Sequence, residues 1–140
     1  MDTPAAPEHA FTHQFTVEAS DIDQLGHANN VAYLRWVQDV AAAHWHSLYP
    51  QAGPELPPQI WVVQEHRIRY HRSAYADEAL TARTWVADVK GASSKRLTRI
   101  ERGGELLCAA ETQWVLIDAA SGRPVRVPGE VAGRLLPAHN

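Results

Sequence analysis

One helical pattern constrains the fold of this 140-residue chain more than any other part of its sequence. From about Asn30 to Leu48, apolar residues recur at steps of three and four, which is the spacing of one face of an α-helix. The stripe consists of Leu34, Val37, Ala41, Trp45 and Leu48, widened by Tyr33, Val40 and Ala43. Because a helix that is apolar over most of its circumference has to be covered, the pattern predicts a central helix wrapped by other structure.

Five further segments have the alternation or the β-rich composition of strands. They cover residues 11–17, 60–72, 79–89, 93–102 and 106–117. The last four follow one another through short connections, so they are expected to pair as successive antiparallel hairpins that the first strand joins. The sequence therefore predicts an α+β fold, in which a five-stranded antiparallel sheet wraps one long helix. This single domain would span residues 1–140, with an ordered core of about 11–130.

The predicted sheet leaves large aromatic side chains to be covered. Trp61, Trp85 and Trp114 are expected on its outer face. Since that much apolar surface is unusual in contact with water, a homodimer would cover part of it.

Composition narrows the classes of function. The formal net charge of −3 gives no general attraction to nucleic acid. No apolar run approaches a membrane span, and no secretory signal opens the chain, so a cytoplasmic protein is expected. The single cysteine, Cys108, lies between apolar neighbours and is expected to be buried and inert. No metal-ligand spacing is present, and we predict no metal site.

A dense polar segment directly precedes the helical run. It contains Asp21, Asp23, Gly26, His27 and two asparagines, Asn29 and Asn30. Carboxylates and imidazoles accept protons and orient water, and the first N–H groups of a helix can stabilise a developing oxyanion. Asp21 is expected to stabilise the turn through backbone hydrogen bonds. The segment therefore predicts a reaction site where a strand leads into a helix.

These residues resemble a known family. The D-x-D-x-x-G pattern of Asp21, Asp23 and Gly26, followed by Tyr33 on the helix, resembles the opening motif of the hotdog-fold thioesterases. The branch concerned includes 4-hydroxybenzoyl-CoA thioesterase and the acyl-CoA thioester hydrolases. The segment from His27 to Asn30 is also similar to the H-x-N-N turn of long-chain acyl-CoA and acyl-carrier-protein thioesterases. The resemblance extends over residues 11–130.

The resemblance implies a hotdog fold and hydrolysis of an acyl-CoA thioester to a free acid and coenzyme A, without a cofactor. It gives Asp23 the role of nucleophile or general base, and it places the backbone N–H groups around Asn30 at the thioester carbonyl oxygen. Gly26 would let the turn pass close to the substrate. The implied assembly is a homodimer, or a tetramer of such dimers, whose active sites lie where two subunits meet.

Several roles stay open at this stage. His27 either orients water, binds the carbonyl or only packs, and Asn29 either assists it or caps the helix. Tyr33 either contacts the substrate or packs in the apolar stripe. The resemblance places the phosphates of coenzyme A near Lys90, Ser93 and Lys95, whose alternative is ordinary solvated surface.

Two other functions are also open. One is a hotdog hydratase or dehydratase, although the spacing from Asp23 to His27 differs from the D-x-N-P-x-H type of motif and lacks its proline. The other is a non-catalytic protein that binds acyl thioesters. The aromatic, short-chain or long-chain nature of the acyl group is likewise open.

Overall fold

The secondary structure follows the predicted order of one strand, one long helix and four strands. A computed structural model describes residues 4–51 and 53–136. Its elements are β1 (Phe11–Thr16), a short 3-10 turn (Ala19–Asp21), α1 (Asn30–Leu48), β2 (Gln59–Tyr70), β3 (Ala79–Lys90), β4 (Ser93–Arg102), β5 (Glu105–Asp118) and α2 (Gly129–Leu135). The five strands form one antiparallel sheet, which confirms the predicted α+β architecture.

The strand order differs from a simple run of hairpins. It is β1-β3-β4-β5-β2, so the expected hairpin between β2 and β3 is wrong. β2 pairs with β5 at one edge, and β1 pairs with β3 at the other. The chain between β2 and β3 crosses from one side of the sheet to the other and passes the start of α1, where the Ala28 N–H donates to the Ala74 carbonyl at 2.8 Å. This crossing brings the polar segment against the segment that precedes β3.

Helix α1 supplies one side of the core. Its buried residues are Ala32, Tyr33, Trp36, Val37, Val40 and Ala41. All of them except Val37 and Ala41 share one core cluster with strand residues such as Leu80 and Ile100, both almost fully buried. The helix begins with Asn29 as its N-cap, whose side-chain oxygen accepts the Ala32 N–H at 3.1 Å. The sheet therefore wraps the apolar stripe of α1, as the sequence predicts.

Two tryptophans expected on the outer face lie on the inner face instead. The ring of Trp61 packs edge-to-face against that of Trp45 on α1, with 6.1 Å between the ring centroids. Trp114 lines one cavity together with these two rings. A β-bulge between Val63 and Glu65 inserts one residue into β2 and reverses the alternation that places Trp61 outward. Trp85 is 7% exposed and is buried within the chain, next to Leu135 of α2.

Cys108 is fully buried in the core. Desolvation raises the pKa of its thiol to about 12, so it stays protonated near neutral pH. The prediction of a buried thiol is confirmed. Among the helices of the described residues, none combines the length and apolar character that crossing a membrane requires.

Candidate active site

The segment before α1 folds into a small hairpin-like turn. Ile22 and Ala28 form an isolated antiparallel bridge across it. Inside the turn, the Asp23 carbonyl accepts the Gly26 N–H at 3.0 Å, and the Asp23 N–H donates to the His27 carbonyl at 3.1 Å. Gly26 closes the turn with a φ of +88°. Since nothing lies within 4 Å of a Cβ added there, the backbone conformation rather than lack of space favours glycine.

Asp21 joins the two ends of this segment. Its side chain is 1% exposed, accepts the Glu18 N–H at 2.9 Å and pairs with Arg35 of α1. Its carbonyl accepts the Asn29 N–H at 3.0 Å. The hydrogen bond from Arg35 raises the pKa of that guanidinium further. The expected role of Asp21 in stabilising the turn is confirmed, and its ion pair also ties the turn to α1.

Asp23 presents a carboxylate that the fold uses only in part. It is partly buried, and its Oδ1 accepts the Leu25 N–H at 2.9 Å. Among the described residues, no partner engages Oδ2. A carboxylate with one oxygen held and one oxygen available is oriented yet able to accept a proton from a bound reactant.

The start of α1 offers backbone donors close to this turn in the chain. The first N–H groups of a helix have no intrahelical acceptor, and Asn29 takes only that of Ala32. The N–H groups of Asn30 and Val31 thus lie at the positive end of the helix dipole without an intrahelical partner. Both residues are exposed. Such a pair of donors can stabilise negative charge on a carbonyl oxygen.

His27 lies between the turn and the helix. Its ring is partly buried, and Nδ1 is 3.2 Å from the carbonyl oxygen of Ala28. Since a carbonyl only accepts, this contact makes Nδ1 the donor and leaves Nε2 for another partner. In the neutral ring Nε2 then accepts a hydrogen bond, which suits a side chain that orients water.

Tyr33 lies in the core next to the turn. It is 2% exposed, and its ring packs edge-to-face against those of Trp36 and Tyr70. Its hydroxyl donates to the Arg72 carbonyl at 3.3 Å and accepts the Ala74 N–H at 2.9 Å. Tyr33 therefore packs in the apolar stripe and stabilises the crossing segment after β2. Sequence periodicity finds the ring but not these two partners, which are distant in the chain.

Lys90, Ser93 and Lys95 lie at the other end of the sheet. They flank the β3–β4 turn in a cleft that also contains Asp88 and Glu111, and Lys95 pairs with Glu111 at 3.2 Å. The polar segment follows β1, whose last residue, Thr16, pairs with Ala79 at the start of β3. Lys90 is the last residue of β3. The 12 residues of β3 span about 36 Å from one end of the strand to the other. The fold thus brings Asp23, Gly26, His27, Asn29, Asn30 and Tyr33 together and keeps the two lysines and Ser93 apart from them.

Side chains that could bind a metal ion are not clustered among the described residues. The residues that the structure describes contain no cluster of three or more histidine, cysteine, aspartate or glutamate side chains able to hold a metal ion. The reactive groups of this segment are the Asp23 carboxylate, the His27 imidazole and the backbone N–H groups at the start of α1.

Comparison with known proteins identifies the family of this chain. The family model of the thioesterase-like superfamily matches residues 17–135, from the residue after β1 through α2. The chain belongs to the thioesterase-like superfamily. A comparison of this thioesterase-like chain with curated proteins gave no match. Membership of the superfamily supports thioester hydrolysis in general.

Solved structures share the fold of this thioesterase-like chain. A probable thioesterase from Bartonella henselae has 24% identity and a TM-score of 0.73, with 85% of this chain and 98% of that chain covered. A predicted thioesterase from Bacillus stearothermophilus has 20% identity and a TM-score of 0.81, with 90% and 93% covered. A 1,4-dihydroxy-2-naphthoyl-CoA thioesterase from Synechocystis has 15% identity and a TM-score of 0.78, with 90% and 95% covered. These likenesses show the hotdog fold.

Proposed function

We propose that this chain hydrolyses acyl-CoA thioesters to a free acid and coenzyme A at the N-terminus of α1. The observation that carries the proposal is a partly free carboxylate, on Asp23, a few residues before the backbone donors of Asn30 and Val31, in a chain of the thioesterase-like superfamily. No cofactor is needed, because a thioester carbonyl is already electrophilic.

The proposed reaction uses each of these groups. Asp23 removes a proton from water, and the water oxygen attacks the thioester carbon. The N–H groups of Asn30 and Val31 stabilise the resulting oxyanion. When the C–S bond breaks, the sulfur of coenzyme A leaves and takes the proton from Asp23. If Asp23 instead attacks the carbon directly, an acyl anhydride forms and water then hydrolyses it, with the same products.

The test is release of thiol by the purified protein from acyl-CoAs with aromatic, short and long acyl groups. We expect free thiol and free acid in equal amounts from at least one of them. Binding without thiol release from any acyl-CoA would favour a non-catalytic binder. Addition or loss of water on an enoyl or hydroxyacyl chain, with the thioester intact, would favour a hydratase or dehydratase.

His27→Ala tests the imidazole. If Nε2 orients water, kcat/KM should fall at least about tenfold, or about 1.4 kcal/mol of transition-state stabilisation. The measurement is steady-state thiol release on the best acyl-CoA from the panel. His46→Ala, at an exposed position on α1, is the control. If His27→Ala hydrolyses the substrate at the wild-type rate, the His27 ring only packs and takes no part in the reaction.

A homodimer would bring the Asp23 turn of one chain close to the lysines at the β3–β4 turn of the other chain. The lysines near the β3–β4 turn and Asp23 are too far apart in one chain to contact one coenzyme A at both its phosphates and its thioester. In a site formed by two chains, Asp23 of one chain would face Lys90 and Lys95 of the other. Coenzyme A phosphates would then compete with Glu111 for Lys95.

Lys90→Ala combined with Lys95→Ala tests this assignment. The pair should raise KM for acyl-CoA about tenfold with little change in kcat, because two charge-assisted phosphate contacts are lost. KM of the wild type should also rise with salt, since both lysines are exposed. Lys90 and Lys95 would be ordinary surface residues if KM does not change.

Mixed dimers extend the test to the second chain. Asp23→Asn chains mixed with Lys90→Ala/Lys95→Ala chains would form heterodimers with one fully native site and one doubly altered site. Random mixing should return about a quarter of the wild-type activity at low substrate concentration. No recovery would mean that the carboxylate and the lysines do not act across two chains.

A further inference from the structure

An apolar cavity of about 440 Å³ lies beside the second half of α1. Its walls include the rings of Trp45, Trp61 and Trp114, from α1, β2 and β5. Arg96 of β4 also lines it, and this side chain contacts His44 of α1. Gln38, the lining residue nearest to the start of α1, comes 8 residues after Asn30, which is about 12 Å along the helix axis. Within one chain, the cavity is thus separate from the Asp23 turn.

Arg96 is a buried charge without an anionic partner. It is 5% exposed, and Nη1 donates to Nδ1 of His44 at 2.9 Å and to Oγ1 of Thr84 at 3.1 Å. Burial, together with the charge of Arg96, lowers the pKa of His44 to about 4, so the ring is neutral near pH 7 and accepts this bond. Both partners of Arg96 are therefore uncharged.

The remaining donors of Arg96 have no acceptor in the described part of the chain, where only Nη1 is engaged. Burial lowers the pKa of Arg96 to about 10, which still leaves it positively charged at neutral pH. The described residues that line the cavity include no aspartate or glutamate. The indole N–H groups of Trp61 and Trp114, buried in the same wall, also lack an acceptor among the described residues. Arg96, Trp61 and Trp114 thus leave hydrogen-bond donors without an acceptor, and an unpaired buried charge is costly.

We propose that this cavity binds an organic anion whose carboxylate pairs with Arg96 and whose apolar body lies against the three tryptophans. A carboxylate supplies two oxygens in the plane that the guanidinium fork presents through Nε and Nη2. An apolar body of one or two rings, or of a similar length of chain, suits the volume and the aromatic walls. The site is independent of the proposed hydrolysis, and its occupant is recognised through acceptor oxygens.

Binding of naphthalene-2-carboxylate, with naphthalene-2-carboxamide as its uncharged match, tests the site. Titration calorimetry on the wild-type protein should show that the carboxylate binds at least tenfold more tightly than the amide. Arg96→Met should bring the two affinities within about twofold, because an apolar side chain of similar length replaces the charge. Arg96→Lys should keep part of the preference. Arg123→Met, at an exposed position on the loop after β5, should leave it unchanged.

Thermal unfolding of each variant shows whether it folds. If Arg96→Met does not fold, a carboxylate preference that is smaller in Arg96→Lys than in the wild type still supports the proposal, and an unchanged preference contradicts it. Equal binding of acid and amide by the wild type, or an unchanged preference in folded Arg96→Met, would overturn the proposal. So would failure to bind either compound at millimolar concentration, which is expected if a second copy of the chain fills the cavity. None of these readings depends on thioester hydrolysis.

Discussion

Replacing Asp21 with alanine is expected to lower the free energy of unfolding by about 2 kcal/mol, because the change removes a buried hydrogen-bond acceptor with a charged partner. The Asp21 carboxylate is 1% exposed, and it holds both the Glu18 N–H and the Arg35 guanidinium. Arg35 is half-exposed, so most of the loss comes from the turn and not from the ion pair. For a chain of this size, the midpoint of thermal unfolding should fall by about 7 °C.

Urea unfolding followed by circular dichroism measures this effect. Asp39→Ala is the control, since Asp39 is exposed on the same helix one turn after Arg35. It should change the free energy of unfolding by less than about 0.5 kcal/mol. If Asp21→Ala is no more destabilising than Asp39→Ala, the carboxylate does not hold the turn in place. Asp21→Ala should also slow hydrolysis, because the same contacts position the residues before α1.

The parts of the fold that the sequence predicts well depend on local patterns. The apolar stripe of α1 marks a buried helix, and Asn29 is a good N-cap because its side chain reaches the Ala32 N–H. Gly103 and Gly104 mark the β4–β5 hairpin, where both have positive φ. Each of these features is decided by residues that lie within a few positions of each other.

The features that the sequence misses depend on distant contacts. β2 pairs with β5 and not with β3, because the segment between β2 and β3 crosses past α1 and bonds Ala28. One inserted residue in β2 turns Trp61 inward, and strict alternation has no means to detect it.

The candidate site divides in the same way. Its motif is local, so the sequence groups Asp23, Gly26, His27 and Asn29 as candidates, and their roles in the reaction stay predictions. The partnership of Asp21 with Arg35 joins residues 14 positions apart, and that of Arg96 with His44 joins residues 52 positions apart. No pattern in the sequence signals either pair, since both depend on how α1 packs against the rest of the chain.

Replacing Asp23 with asparagine is expected to lower kcat for thioester hydrolysis by roughly 100-fold or more, within the range for loss of a general base. The asparagine side-chain oxygen can still accept the Leu25 N–H, so the turn is retained. What disappears is the ability to take a proton from water or to attack carbon. KM should stay within about twofold of the wild-type value if the change affects only the chemical step.

The catalytic interpretation of Asp23 competes with a structural one. If Asp23 only stabilises the turn, its amide should serve nearly as well, since the single hydrogen bond to Leu25 survives. Thermal unfolding within about 2 °C of the wild type would confirm that the fold is intact. The substitution thus separates chemistry from stability in a way that alanine does not.

The most direct test is kcat for thiol release from one acyl-CoA by the wild type, Asp23→Asn and Asp39→Asn, measured side by side with free acid as the second product. The proposed mechanism predicts rapid release by the wild type and Asp39→Asn, and a rate lower by roughly 100-fold or more for Asp23→Asn. Equal rates for all three proteins would contradict the assignment of the reaction to the Asp23 turn.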